Sequence, residues 1–247
     1  MDLFTTTTQA WASPGSDAHC PRLSGASSQQ GLPRNGRARL KKQAFRVATL
    51  NIGTLTGRGR ELADLLRRRR VHVASLQETR WKGAKAKDLG DGYKLLYNVG
   101  VSGRNGVGIV ICDELKDKVV DVQRVSNRLM LVKLDMKEGL VNIVSAYAPQ
   151  GGCSSEDKAD FWQLLDGVMQ SVPAQEQVLV LGDLNGHLGV ARTGYERVHG
   201  GHAIGNRNQE GEEVLAFALA YDMALTNTYF KKKDEQLATY SSGGIKT

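Results

Sequence analysis

The stretch Val178-Leu179-Val180-Leu181-Gly182-Asp183-Leu184-Asn185-Gly186-His187 constrains this chain more than any other. Its four consecutive apolar residues predict a short strand buried on both faces. The run stops at Gly182, and polar residues begin at once. Asp183 and Asn185 are two apart, so in extended backbone their side chains leave on the same side. A carboxylate and a carboxamide then share the end of a core strand, the position from which a rigid scaffold delivers reactive groups to a cleft. The same residues also build ordinary turns, because Asp, Asn and Gly dominate turns for conformational reasons. The rest of the chain has to choose between the two.

At 247 residues, 40% hydrophobic and 24% charged, the chain can bury a substantial core and has the composition of a soluble globular protein. It has room for one large domain or two small ones. No apolar run approaches the ~20 residues that span a bilayer, so no membrane partner is expected. Met1-Asp2-Leu3-Phe4 and the threonines after it lack the basic and apolar regions of a secretory signal. Cys20, Cys112 and Cys153 are scattered without metal spacing, which fits a reducing, intracellular compartment. A net charge of +7 favours a polyanionic partner, nucleic acid or an acidic membrane surface.

Residues 1–43 read as a disordered tail, rich in Ser, Thr, Gly and Gln and without apolar periodicity. Its basic end, Arg34 to Lys42, suits a nuclear-import signal or nucleic-acid arm, and equally a solvated linker. The domain is expected over 44–247. Phe45 to Asn51 predicts a strand ending at an amide, followed by a turn at Gly53-Thr54. Leu62, Leu65 and Leu66 predict a helix closed by Arg67 to Arg70, where cations suit the dipole. Val71 to Leu76 predicts a second strand that delivers Gln77-Glu78-Thr79-Arg80-Trp81. Five further strands are expected over 93–99, 107–112, 119–125, 129–136 and 140–147, joined by short turns such as Asp113-Glu114. Gly100, Gly103, Gly106 and Gly108 do not make a phosphate-binding loop, because a strand rather than a helix follows. Phe161, Leu164, Leu165, Val168 and Met169 predict an amphipathic helix capped by Ser154 or Ser155. Another helix is expected from Gln209 to Tyr221, then strands over 224–229 and 237–240. Many strands with a few interspersed helices predict an α+β sandwich, two packed sheets with helices outside.

The strand ends form a constellation. Asn51, Glu78, Tyr147, Asp183 and Asn185 each follow an apolar segment, and each is able to act on a phosphate. A carboxylate with an oxygen-bearing amide suits Mg²⁺, which prefers hard oxygens and needs only one or two protein ligands. An Asp nearby can orient or deprotonate water. Tyr and Asn can hydrogen-bond the charge that develops on a phosphorane.

Leu50-Asn51-Ile52-Gly53, Leu76-Gln77-Glu78-Thr79-Arg80, Ala146-Tyr147-Ala148-Pro149 and Gly182-Asp183-Leu184-Asn185 occur in the order that resembles the endonuclease/exonuclease/phosphatase superfamily. Within it the chain is similar to the apurinic-type endonuclease domain of RTE/BovB LINE retrotransposons, a match strengthened by Gly205 to Gly211 and Thr239-Tyr240-Ser241-Ser242. The resemblance spans about residues 44–247. It implies a four-layer α/β sandwich of two mixed sheets flanked by helices. It implies Glu78 as the principal ligand of Mg²⁺, or Mn²⁺, with Asn51 beside it. Asp183 would activate water, Asn185 would hold the scissile phosphate and orient Asp183, and Tyr147 would stabilise the pentacovalent state. Arg80 and Asn208 would contact substrate.

The implied activity is Mg²⁺-dependent hydrolysis of DNA phosphodiesters in the nucleus, leaving a 3′-hydroxyl that primes a reverse transcriptase domain of the parent element. The family's Asp-Tyr-Ile and Ser-Asp-His strands do not occur here, and the sequence ends at Ile245-Lys246-Thr247, so the last strands are expected to be missing and the domain incomplete at its C-terminus. None of His187, His199 or His202 stands in a Ser-Asp-His setting. Two other readings therefore stay open: a catalytically dead module that binds nucleic acid or protein, and a phosphatase of the same fold acting on phosphoinositides.

Overall fold

The computed structural model describes residues 9–12, 45–100, 103–231, 241–242 and 245–246. After a short strand β1 (Gln9–Ala12), β2 (Val47–Asn51) runs into the helix α1 (Gly59–Arg69) and returns as β3 (Val73–Gln77). Leu62, Ala63 and Leu66 give α1 one buried face, and Arg70 ends it in the left-handed conformation. A helical crossover of this kind allows β2 and β3 to pair in parallel, with Asn51 opposite Gln77.

The chain then meanders through β4 (Gly83–Gly90), β5 (Tyr93–Val99) and β6 (Val107–Cys112), completing a five-stranded sheet of order β2-β3-β6-β5-β4. β4 does not announce itself in the sequence. Its Gly-Ala-Lys-Ala-Lys-Asp segment is exposed, and backbone pairing with β5 is what makes it a strand. The expected Asp113-Glu114 turn is a single helical turn, α2 (Asp113–Lys116).

The second half repeats the plan. β7 (Val119–Ser126), β8 (Leu129–Met136) and β9 (Gly139–Tyr147) form a meander, and the helix α3 (Ser155–Ser171) crosses to β10 (Gln177–Asp183). Ser154 is the cap of α3, its hydroxyl accepting from the Asp157 amide. β10 runs parallel to β9 with Asp183 opposite Tyr147. The helix α4 (Gln209–Ala220) and a two-residue strand β11 (Ala224–Leu225) follow, then a 3₁₀ turn over Thr226–Tyr229. The strand expected over 224–229 is therefore cut short. Thr228 Oγ1 donates to the Leu225 carbonyl at 2.7 Å, a local bond that competes with a ladder. The strand expected over 237–240 lies outside the described residues. Among the described residues, β12 (Ser241–Ser242) and β13 (Ile245–Lys246) form a separate two-stranded antiparallel sheet.

The six-stranded sheet has the order β11-β1-β10-β9-β8-β7. β1 belongs to the stretch read as a disordered tail, yet it pairs antiparallel with both β10 and β11. It supplies backbone partners along a seam where the N–H and C=O groups of β10 need them. The rest of 1–43 lies outside the described residues.

The two sheets pack face to face through Val73, Val107, Ile109 and Ile111 on one side and Met130, Val132, Ile143 and Leu181 on the other. α1 covers the outer face of the first sheet, over Leu50, Leu76 and Leu95. Phe161 and Leu165 of α3, with Val214 and Leu215 of α4, cover the second over Val144, Ala146, Val178 and Val180. This is the four-layer α/β sandwich, α+β in content, that the sequence predicts.

A small polar group interrupts the apolar layer just below the strand ends. Ser75 Oγ lies 2.7 Å from Ser145 Oγ and 3.1 Å from the Leu181 carbonyl, and Gln77 Nε2 donates to Ser75 at 2.8 Å. All are buried, so these bonds hold the sheets at one mutual setting. At the same level Gly182 faces the neighbouring strand so closely that a Cβ would lie 1.9 Å from the Ala146 carbonyl oxygen. Gly182→Ala should therefore destabilise the fold by about 3 kcal/mol through backbone displacement, the upper end of the range for overpacked sites. Urea denaturation of the variant checks this, and an unchanged midpoint would contradict it.

Candidate active site

Both parallel pairs end at the same edge of the sandwich, and their C-terminal ends carry the polar residues. β2 presents Asn51, β3 runs into Glu78, β9 ends at Tyr147 and β10 at Asp183. Asn51 lies between the sheets: its Nδ2 donates to Glu78 Oε1 at 3.0 Å and to Asp183 Oδ2 at 3.0 Å. The amide is oriented by its other end, where Oδ1 accepts from the Gly53 N–H at 3.1 Å. Tyr147 Oη donates to the same Glu78 oxygen at 2.9 Å, and Arg80 Nη2 lies 2.5 Å from Oε2. Asp183 also accepts from the Asn185 N–H at 3.1 Å, while Asn185 Nδ2 donates to the Ala148 carbonyl at 2.8 Å.

Glu78, Arg80 and Asn185 adopt φ values of 57°, 52° and 51°. Side chains seldom occupy this left-handed region, and such residues cluster where geometry is worth the strain. The surroundings over-determine the Glu78 turn. Thr79 N–H donates to the Gly106 carbonyl at 3.2 Å, and Arg80 N–H to the Asn105 carbonyl at 3.1 Å. Gly106 is needed there, since a Cβ would sit 2.5 Å from Thr79 Oγ1. The glycine-rich segment thus braces the Glu78 turn with its carbonyls, and β6 follows it directly.

The electrostatics divide the two carboxylates. Burial works against charge on Glu78, but hydrogen bonds from Asn51, Arg80 and Tyr147 outweigh it and hold its pKa below the usual value. For Asp183 burial dominates and raises the pKa, helped by the Glu78 charge and opposed by the bonds from Asn51 and Asn185. One carboxyl is held ionised while the other is pushed toward the proton, the usual sign of separate roles. Tyr147 is raised as well, by burial and by its bond to Glu78, and so keeps its phenolic proton.

The structure thus brings together Asn51, Glu78, Arg80, Tyr147, Asp183 and Asn185. Asn51 reaches the centre with its nitrogen toward the carboxylates, as a bridge between them, and its oxygen turned to Gly53. Asn208 makes no hydrogen bond to these six side chains among the bonds described for it. It is the N-cap of α4, its Oδ1 accepting from Gly211 and His187 N–H groups at 2.8 and 2.9 Å. His199 is buried in the 186–208 loop, its Nδ1 accepting from Gly201 N–H at 3.0 Å, and burial lowers its pKa.

Sequence reasoning passed over Arg128. It sits between β7 and β8, where a turn arginine reads as solvent-facing, yet its guanidinium lies 5.0 Å from the centroid of the Tyr147 ring. Among the described residues no cluster of three or more His, Cys, Asp or Glu side chains could hold a metal. Glu78 and Asp183, bridged by one amide, are nevertheless hard-oxygen donors of the kind Mg²⁺ takes when waters complete its shell.

Because Asp183 has a raised pKa, its protonated form fits the fold better, and its contribution to stability is full below the unfolded value and lost as pH rises through the folded one. Glu78→Gln removes a neighbouring negative charge, so it should bring the Asp183 pKa down toward the ordinary value of about 3.9. Titration of the Asp183 carboxyl carbon by ¹³C NMR in both proteins checks the direction. An Asp183 pKa that stayed put in Glu78→Gln would refute the charge coupling.

Comparison with known proteins agrees with this architecture. Residues 48–218 match the model of the Endonuclease/Exonuclease/phosphatase family. Craniofacial development protein 2 of Bos taurus is 20% identical over 204 residues, 81% of this chain and 34% of that protein, and the Tragulus javanicus protein is 19% identical with similar coverage. The chain therefore spans about a third of the length of these curated relatives. Among solved structures, the endonuclease domain of TRAS1, a telomere-specific non-LTR retrotransposon, superposes with a TM-score of 0.52 at 15% identity, covering 72% of each chain. An AP endonuclease from Archaeoglobus fulgidus gives a TM-score of 0.52 at 17% identity, covering 72% of this chain and 70% of its own. At such identities the likeness is one of fold. With the family model matched across both sheets and every strand end that carries the centre, the chain belongs to the Endonuclease/Exonuclease/phosphatase family.

Proposed function

We propose that this chain is a Mg²⁺-dependent endonuclease that hydrolyses DNA phosphodiesters. The observation that carries the reading is the Asn51 bridge, which ties Glu78 of one sheet to Asp183 of the other and leaves Tyr147 on the same carboxylate. The names of the solved relatives, a retrotransposon endonuclease and an AP endonuclease, support DNA as the substrate, as does the net charge of +7.

Glu78, with Asp183 beside it, would hold the ion, whose chemistry is to polarise a phosphoryl oxygen and favour departure of the leaving oxygen. Asn51, expected as a second ligand, instead turns its Nδ2 to both carboxylates and its oxygen to Gly53, and so orients the ligands. Asp183, with its raised pKa, accepts a proton from the attacking water. The water oxygen bonds to phosphorus, the P–O3′ bond breaks, and the 3′-oxygen leaves as a hydroxyl after taking a proton from solvent. Tyr147 keeps its proton and can turn it from Glu78 to the phosphorane. Asn51 and Asn185 hold Asp183 through its two oxygens. Arg80, 54% exposed, can swing from Glu78 to a backbone phosphate. In a retrotransposon the resulting 3′-hydroxyl would prime reverse transcription, and the site of action would be the nucleus.

Supercoiled-plasmid nicking tests the proposal. The chain should nick with Mg²⁺ and not with EDTA, and Glu78→Ala should lose at least ~100-fold in rate. Salt-sensitive DNA binding without nicking would replace the enzyme by a binding module. Equal nicking by Glu78→Ala would overturn the assignment of the centre.

A further inference from the structure

Arg128 makes an unusual set of contacts for a turn residue. Its Nη1 donates to the Tyr147 carbonyl at 3.2 Å and to the Ala148 carbonyl at 3.2 Å. Its guanidinium carbon lies 5.0 Å from the centroid of the Tyr147 ring, within cation–π reach. Its own carbonyl accepts from the Tyr147 N–H at 2.8 Å. Tyr147 is thereby held at its amide, its carbonyl and its ring by one side chain and its backbone. The arginine is half-buried, and its partners are carbonyls and a ring.

The Ala148 carbonyl also accepts from Asn185 Nδ2 at 2.8 Å, and Ala148 N–H donates to the Asp183 carbonyl at 2.9 Å. A carbonyl has two lone pairs, so it can serve Arg128 and Asn185 together. Arg128 therefore grips the crossing point between the Tyr147 arm and the Asp183-Asn185 arm. A solvent-facing cation that merely solubilised a hairpin would need none of these contacts.

We infer that Arg128 is a positioning residue, which fixes the Tyr147 ring against Glu78 and, through the shared Ala148 carbonyl, sets Asn185 and Asp183 relative to it. The turnover part of this inference rests on the endonuclease reading; the positioning part does not. Lysine cannot replace it, because a point charge on a flexible stem does not serve two carbonyls and a ring in one geometry.

The test has a structural arm and a kinetic arm. For the first, the full chain is labelled with 3-fluorotyrosine, and the Tyr147 resonance is assigned with Tyr147→Phe. In Arg128→Met that ¹⁹F line should shift and broaden while the other tyrosines hold their positions. Arg128→Gln, which keeps a planar amide donor, should move it less, and it carries the experiment if the Met variant does not fold. An unmoved Tyr147 line in a folded variant overturns the inference.

For the second arm, Arg128→Met should lower kcat for nicking on the order of 100-fold with KM unchanged, as a small misplacement of reacting groups does. In a Tyr147→Phe background the same substitution should cost much less, because the two act as one unit. Full additivity, or a raised KM at constant kcat, would make Arg128 a simple DNA contact and overturn the positioning role. A wild-type chain that did not nick at all would sink the endonuclease reading, and the fluorine resonance would then decide Arg128 alone.

Discussion

The centre depends on one amide. Asn51 Nδ2 is shared between Glu78 and Asp183, carboxylates carried by different sheets and separated by more than a hundred residues of chain. Two carboxylates brought this close repel each other and resist ionisation together. A donor placed between them offsets the repulsion and fixes which oxygens face outward. The Gly53 N–H makes this arrangement one-way, because it occupies the amide oxygen and leaves the nitrogen for the acids. The Ser75, Ser145 and Gln77 group below then holds the sheets in the one relative setting at which the bridge has the right length.

Much of this was legible in the sequence, for a physical reason. A strand buried on both faces must be apolar, so the first polar residue after it marks where the core ends. Asn51, Tyr147 and Asp183 stood out at or next to such ends, and Glu78 one residue beyond the buried Gln77, and the structure brings them together. The parallel pairing of β2 with β3 and of β9 with β10 was not read from the sequence, although a helical pattern separates each pair of strands. Other features lacked such a signal. β4 has no apolar alternation, and only its ladder with β5 makes it a strand. Arg128 looks like any arginine in a hairpin turn, since its significance lies in carbonyls far along the chain. The burial of His199 depends on how the 186–208 loop folds back, which no local pattern reveals. Asn208 matched a family asparagine by position, and its Oδ1 caps α4, a local role that a residue before an apolar helical pattern also signals.

Three of the residues around the centre, Glu78, Arg80 and Asn185, hold left-handed backbone without being glycine. The Glu78 turn is kept by the 105–106 carbonyls and the Asn185 turn by its bonds to Asp183 and Ala148. A glycine at these positions would relax the backbone and lose the functional group. The strain is therefore carried by the second layer of hydrogen bonds, and damage to that layer reaches the site without touching it. Asn105, itself left-handed, belongs to this layer.

The division of the sheets along the chain also shapes how the molecule assembles. Every strand of the five-stranded sheet comes from residues 47–112, and β7 to β10 come from 119–183. Each half is dominated by neighbours in sequence, so each can collapse early and quickly. The contacts between Asn51 and Asp183 close a loop of 132 residues and gain nothing until both halves exist. During synthesis the first half leaves the ribosome with Glu78 in place but without its partner acid. The centre is thus complete only when both halves are in place, and neither half alone carries both acids.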